Sequence, residues 1–430
     1  MEKIKINETN EYLYYKKLIN GLEIYILPNN NQKNYYITFS TKFGSINTEF
    51  KKTNDKEYTK VPNGIAHYLE HLKFNIENGS AFDFFSKLGA SVNAFTSYDV
   101  TCYEVYSSTY FKENLNFLLD YVQTPYFTQE LVNNERDIIK EEINMYDNNP
   151  NTELTYSTYE NIFVNDKRKY LISGEVKDIK KITLDNIVSC YNTFYNPNNM
   201  FVIITGNVEP YEALAIIEEN QKDKKFNNVE IINKEITEPY NVNKEYDEKE
   251  MNVELNKISI SYKIPKKNFS KLKLNDEELY TYISLLFDIL YGPTSDIQDK
   301  LVSSSIIQNG IDINKTFTNE YIVVSLMTES DYTETLINMI KETLNNIEIN
   351  EQDLLRKIKV YKSNYILHFD DIESVNNTIQ DNIIQFNKII TNYMEIYNNL
   401  NIDTLNEVIK CIKNKKESIL IIKPKKNKTN

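Results

Sequence analysis

The residues best placed to do chemistry lie between Gly64 and Phe74, where His67, Glu70 and His71 stand in the order H-x-x-E-H. At about 100° per residue on a helix, His67, His71 and Phe74 fall within roughly 60° of one another, with Glu70 on the flank. Ile65, Leu69 and Leu72 take the opposite side. Such a helix has an apolar back that anchors it and a front with two imidazoles one turn apart. Imidazoles at i and i+4 can both reach one divalent ion. A carboxylate beside them can act on a water held by that ion. The chain has only 3 histidines, so finding two of them around a glutamate at this offset argues against chance. The bland alternative is a surface helix with two solvated histidines. His368, the third, stands alone in a helical-looking stretch and reads as structural.

A hydrolytic zinc site needs a third protein ligand and keeps a fourth position for water. The stretch Glu130 to Tyr146 supplies carboxylates. Projected as a helix, Leu131, Glu135, Ile138, Glu142 and Tyr146 share one stripe, all within roughly 60° of Leu131. An unpaired carboxylate inside an apolar stripe is costly, so Glu142 reads as the third ligand, whereas Glu141 points to solvent. Glu135, two turns earlier on the same face, reads as a carboxylate that supports the ligands from behind. The alternative is that both simply pair with basic residues.

His67-x-x-Glu70-His71 followed by Glu135-Arg-Asp-Ile-Ile-Lys-Glu-Glu142 resembles the inverzincin motif of the pitrilysin and mitochondrial processing peptidase family. In that family the third ligand follows a glutamate by seven residues, which again indicates Glu142. The resemblance continues through Lys87-Leu-Gly-Ala-Ser-Val-Asn-Ala-Phe-Thr-Ser97, Phe194-Tyr-Asn-Pro-Asn-Asn-Met200 and Gly206-Asn-Val208. It covers most of the first half of the chain and is closest to the bacterial, single-unit, two-domain cytoplasmic members. The resemblance implies an α+β fold of two related domains, together forming half of a clamshell. Each domain would be a mostly antiparallel sheet with helices packed on one face. It also implies one zinc ion per chain and a peptide substrate added as a β-strand along an exposed edge, touching Asn93 and Ala94. By residues alone that edge is equally an ordinary hairpin strand.

Composition narrows the partners. A net charge of −13 argues against nucleic acid and anionic membrane. The 3 cysteines, Cys102, Cys190 and Cys411, share no C-x-x-C spacing, which fits a reducing compartment. The N-terminal residues show no apolar signal region and no apolar run reaches membrane-spanning length. A soluble, cytoplasmic protein is the expectation. The abundance of tyrosine (33 residues, with no tryptophan) reads as codon bias rather than function.

The elements that must position the site can be read in outline. Leu22 to Leu27 and Tyr35 to Phe39 read as strands joined by a polar turn. Asn63 is expected to cap the histidine helix, and Ser80 to begin a short helix stopped by Gly89. Ala90 to Thr96 and Thr101 to Ser107 read as paired strands, and Phe111 to Val122 as a helix. Pro150 is expected to close the Glu142 helix. Thr183 to Phe194 reads as a helix and Met200 to Thr205 as a buried strand. Thr183-Leu184 and Cys190 recur near half the chain length as Thr404-Leu405 and Cys411, each stretch leading into an apolar strand. This weak echo suggests two domains of one design. The expected division is a zinc-binding domain over residues 1–226, a linker over 227–250, and a related domain without a metal site over 251–430. In the second half, Asn275 should cap a helix with Glu278 completing a capping box. Strands are expected at Lys257 to Ile264 and Tyr321 to Met327, with helices at Tyr332 to Ile347 and Glu351 to His368.

The functional expectation is a zinc-dependent endopeptidase acting on short, flexible peptides. His67, His71 and Glu142 hold the metal, and Glu70 acts as the base toward water. The family closes its chamber from four such domains, so a two-domain chain is expected to pair with a copy of itself or with a related chain. Many active relatives carry an Arg and a Tyr in the second domain that hold the substrate. The corresponding stretch, Tyr291 to Ser305, contains no arginine. The alternative reading is therefore a catalytically weak or inactive peptide-binding subunit of a heterodimeric peptidase. A structural zinc protein is disfavoured, because a closed site would favour four protein ligands with cysteine among them.

Overall fold

A computed structural model describes residues 1–226 and 230–425. The chain forms two compact units. The first gathers Met1–Ile143, Leu171–Glu235 and Tyr365–Tyr393; the second gathers Asn144–Tyr170, Ile236–Asn364 and the chain from Met394 onward.

The first unit is built on a 7-stranded sheet. In spatial order its strands are Glu2–Lys5, Tyr12–Lys17, Glu23–Pro28, Met200–Gly206, Tyr35–Thr41, Thr101–Ser107 and Ser91–Thr96. Met200–Gly206 runs parallel to Glu23–Pro28; every other neighbouring pair is antiparallel. The strands Tyr35–Thr41 and Met200–Gly206 are buried at every position, so both faces of the sheet must be covered. On one face Ile65, Leu69 and Leu72 of the histidine helix join Phe39, Tyr103 and Val105 in the main core. On the other, Val375, Ile379 and Ile383 of the helix Ile372–Phe386 pack on Tyr25, Leu27, Phe201 and Ile203. Thr38 Oγ1 donates to Asn376 Oδ1 at 2.7 Å and Ser40 Oγ to Gln380 Oε1 at 2.6 Å, which satisfies hydroxyls buried under that helix.

The second unit repeats the design. Its sheet runs Tyr246–Met251, Lys416–Pro424, Lys257–Pro265, Tyr321–Glu329 and Asp312–Phe317. One pair is parallel, Tyr246–Met251 with Lys416–Pro424, and the rest are antiparallel. This is the order and sense of the last five strands of the first sheet. Asn275 and Glu278 form the expected capping box on the helix Asp276–Tyr291. The far face is covered by the helix Pro150–Ile162, whose Leu154 packs with Met327, Leu420 and Ile422.

The α+β class with two related domains holds. Five details differ from the sequence reading. Helices cover both faces of each sheet, because the central strands are buried on both sides. Each unit takes a helix from the other half of the chain, so the boundaries do not follow 1–226 and 251–430. Pro150 begins a helix rather than only ending one; Asn149 caps it and proline suits its first position. The expected linker carries two strands, Ile231–Asn233 and Tyr246–Met251; residues 227–229 of it, and 426–430 of the second domain, lie outside the described residues. The half-length echo is real as an element but out of register. Thr183 is the N-cap of its helix, whereas Thr404 lies inside a helix capped by Asn401.

Candidate metal centre

Three short elements position the site. The helix Ile65–Lys73 is buried along Ile65, Ala66, Leu69 and Leu72, which turns His67 and His71 outward. Its N-cap is Gly64, at φ +82°, and no side chain caps it, so Asn63 does not play the expected part. Glycine is needed there for the positive φ and for closeness: an added Cβ would lie 2.2 Å from the Ser173 carbonyl oxygen. At the other end Lys73, fully buried, donates to the Thr124 carbonyl at 2.6 Å. Burial lowers its pKa to about 7.

The helix Gln129–Asp147 brings the carboxylates. Its buried stripe is Val132, Ile139 and Ile143, while Ile138 is 56% exposed and Tyr146 39%. The stripe inferred from the sequence through Leu131, Ile138 and Tyr146 is therefore not the buried face. The helix carries two apolar lines about one residue apart, and the core takes the β-branched one. Glu142 stands on the border of that face, beside the histidines. Tyr68 ties the two helices together by donating its hydroxyl to the Val132 carbonyl.

His71 Nε2 lies 3.2 Å from Glu142 Oε2, and His67 Nε2 lies 3.6 Å from Glu142 Oε1. Among the described residues, His67, His71 and Glu142 form a group whose ligand atoms lie within 4.8 Å of one another. The donor set fits zinc: bonds of about 2.0–2.2 Å in a tetrahedron place donor atoms about 3.3–3.6 Å apart. On the far side of His71, Nδ1 meets Glu135 Oε1 at 2.9 Å. That contact fixes the tautomer with Nε2 free to ligate. Among the described residues the buried Nδ1 of His67 has no hydrogen-bond partner, so the two imidazoles are supported unequally.

The electrostatics favour a cation. Burial opposes charge on His71, but hydrogen bonds to Glu135 and Glu142 outweigh it and carry its pKa to about 10. Burial would raise the Glu142 carboxyl, yet the two histidines hold it well below the usual range. Glu70 is 7% exposed. Burial lifts its pKa, against the pull of His67, of a hydrogen bond from Thr96 and of His71. A carboxylate raised in this way and adjacent to a metal site is suited to accept a proton.

Residues 55–173 match the family model described as Insulinase (Peptidase family M16), and residues 181–360 match the Peptidase M16 inactive domain. The uncharacterized zinc protease YmfH of Bacillus subtilis is 38% identical over 321 residues, 74% of each chain. The chain belongs to peptidase family M16. The zinc protease PqqE of Helicobacter pylori is 23% identical over 430 residues, covering 95% of this chain and 92% of that one. An M16-like peptidase from Alicyclobacillus acidocaldarius has the same M16 fold: TM-score 0.90 at 23% identity, covering 97% of this chain and all of that one.

The two substrate-contact residues expected in this M16 chain fall on the edge strand Ser91–Thr96, which pairs with Thr101–Ser107 at the end of the sheet. Ala94 packs against the core on the face that carries the histidine helix. Asn93 points to the opposite face, where it borders a cavity of about 470 Å³ with Glu104 and Tyr106. Thr96, at the end of the same strand, received no role from the sequence, yet it donates to Glu70 Oε2 at 2.7 Å. Tyr68 was likewise missed. Neither spacing nor periodicity distinguishes one buried hydroxyl from another.

Proposed function

We propose that this chain is a zinc-dependent endopeptidase for short, flexible peptides. The observation that carries the reading is the convergence of His67, His71 and Glu142, at donor separations suited to zinc, with the buried Glu70 beside them. Those three residues would hold the ion, which when bound supplies a Lewis acid for the peptide carbonyl and a water of lowered pKa. Glu70 takes the proton from the attacking water and returns it to the leaving amine. Glu135 keeps His71 in the ligating tautomer. The substrate lies extended along Ser91–Thr96 by main-chain hydrogen bonds, with Asn93 and Ala94 alongside it, so folded proteins are poor substrates. A partner of the same family, a second copy or a related chain, completes the working particle. Its compartment is the cytoplasm, where the free thiols of Cys102, Cys190 and Cys411 stay reduced.

One observation favours a second reading, a peptide-holding subunit of low activity: Tyr291 to Ser305 contains no arginine. Metal content combined with cleavage of a quenched peptide library separates the two. The peptidase reading expects zinc in both wild type and Glu70→Gln, with cleavage by wild type only. Equal cleavage by the two proteins would end it. Zinc without cleavage by either, alone or with the related chain, would favour the peptide holder.

A further inference from the structure

The strand that offers its free edge also holds the base. Thr96 is the last residue of Ser91–Thr96 and faces Thr101 across the pair with Thr101–Ser107. Its Oγ1 lies 2.7 Å from Glu70 Oε2 and 3.4 Å from Thr101 Oγ1. Thr101 gives its own proton to the Phe43 carbonyl at 2.7 Å. A hydroxyl has one proton to donate, so Thr101 faces Thr96 as an acceptor only, at a long distance. The proton of Thr96 therefore goes to Glu70. Among the described residues, no hydrogen bond reaches the other carboxylate oxygen, Oε1. The carboxylate is thus held by one oxygen and left available at the other.

We propose that Thr96 is a positioning residue for the hydrolytic reaction. It fixes the Glu70 carboxylate through Oε2, so that Oε1 is the atom that takes the proton from water. It also ties that carboxylate to the strand along which the peptide lies. The inference rests on the peptidase reading above. The side-chain hydroxyl of Thr96 turns to Glu70 and Thr101, and Thr96 is not among the three residues that would hold the metal, so its effect belongs to kcat. A base displaced by a fraction of an ångström still leaves the metal ligands and the free strand edge intact.

The test compares wild type, Thr96→Val and Thr96→Ser, each zinc-loaded, on one quenched peptide. Zinc content and thermal midpoint are measured alongside. Valine keeps the shape and removes the donor; serine keeps the donor. Thr96→Val should lose about 10- to 100-fold in kcat, with KM and zinc content unchanged, and Thr96→Ser should recover most of the loss. Full kcat in Thr96→Val would overturn the inference while leaving the peptidase reading standing. A loss that falls on KM or on zinc content would overturn it too, since that is what damage to the strand or the ligand set produces. If Thr96→Val does not fold, Thr96→Ser decides: kcat as low as that of Glu70→Gln, in a folded and zinc-loaded protein, would refute the role of the hydroxyl. Absence of cleavage by zinc-loaded wild type, alone and with a related chain, would remove the peptidase reading and this inference with it.

Discussion

His71 lies between two carboxylates, Glu135 at 2.9 Å on Nδ1 and Glu142 at 3.2 Å on Nε2. In the peptidase reading one of these contacts joins two metal ligands and the other is a support, and they predict different losses. Glu135→Gln keeps a hydrogen-bond acceptor but removes the charge behind the imidazole. Zinc affinity should fall about 10- to 100-fold, measured by competition with a chromophoric chelator; unchanged affinity would show that Glu135 plays no part in the site. At this scale the sequence was highly legible. His67, Glu70 and His71 are spaced by the helix itself, so their convergence needs no knowledge of tertiary structure. Glu142 lies beside both imidazoles, but the premise that picked it out from the sequence does not hold. The stripe supposed to bury it is exposed at Ile138 and Tyr146, and the core takes Val132, Ile139 and Ile143 instead. The motif resemblance made up for what helical projection could not decide.

Elements are also joined through buried polar groups that periodicity does not reveal. In the second unit Lys263 is fully buried against Glu238. Glu238 also accepts from the backbone N–H groups of Val164, Asn165 and Asp166, at 2.7–2.8 Å. Burial would raise the glutamate, but Lys263 and those three donors hold its pKa low. Burial outweighs Glu238 at Lys263, whose own pKa is lowered, so the carboxylate side is where the pair adds stability. Glu238→Gln should cost about 3–5 kcal/mol by leaving the lysine buried and unpaired, read as a shift in the denaturant midpoint. Because the folded pKa lies below the unfolded value of about 4.3, this contribution is complete above that value. It is lost as pH falls through the folded pKa. The wild type should therefore lose more stability than Glu238→Gln on acidification below about pH 4; parallel loss would contradict the assignment. From the sequence, Glu238 and its neighbours looked like linker, since nothing marks a polar residue whose partners lie tens of positions away.

For the chain as a whole, the two units share a design that the sequence shows only faintly. Gln129 and Glu351 open matching long helices, and Asn149 and Asp371 cap the helices that follow them. At the seventh position of the two long helices stand Glu135 and Lys357. Glu135 pairs with His71 at 2.9 Å, and Lys357 pairs with Asp288 at 3.1 Å. The scaffold position that supports His71 in one unit holds an ion pair in the other. Divergence at such positions is why the repeat could be glimpsed but not registered. The crossing of helices between halves could not be read at all, because apolar helices look alike whichever sheet they cover. It has a consequence for fragments. Residues 1–235 alone lack the helix Ile372–Phe386, and so expose the face formed by Tyr25, Leu27, Phe201 and Ile203. That fragment should show no cooperative thermal transition by circular dichroism; a sharp transition near that of the intact chain would contradict the assignment of that helix to the first unit. The most direct test of the central claim is X-ray absorption at the zinc edge of the loaded protein. The account predicts two imidazole nitrogens and carboxylate and water oxygens at about 2.0–2.2 Å, with the imidazole signature lost in a His67→Ala, His71→Ala variant. Sulfur scattering, or a wild-type spectrum without imidazole, would contradict it.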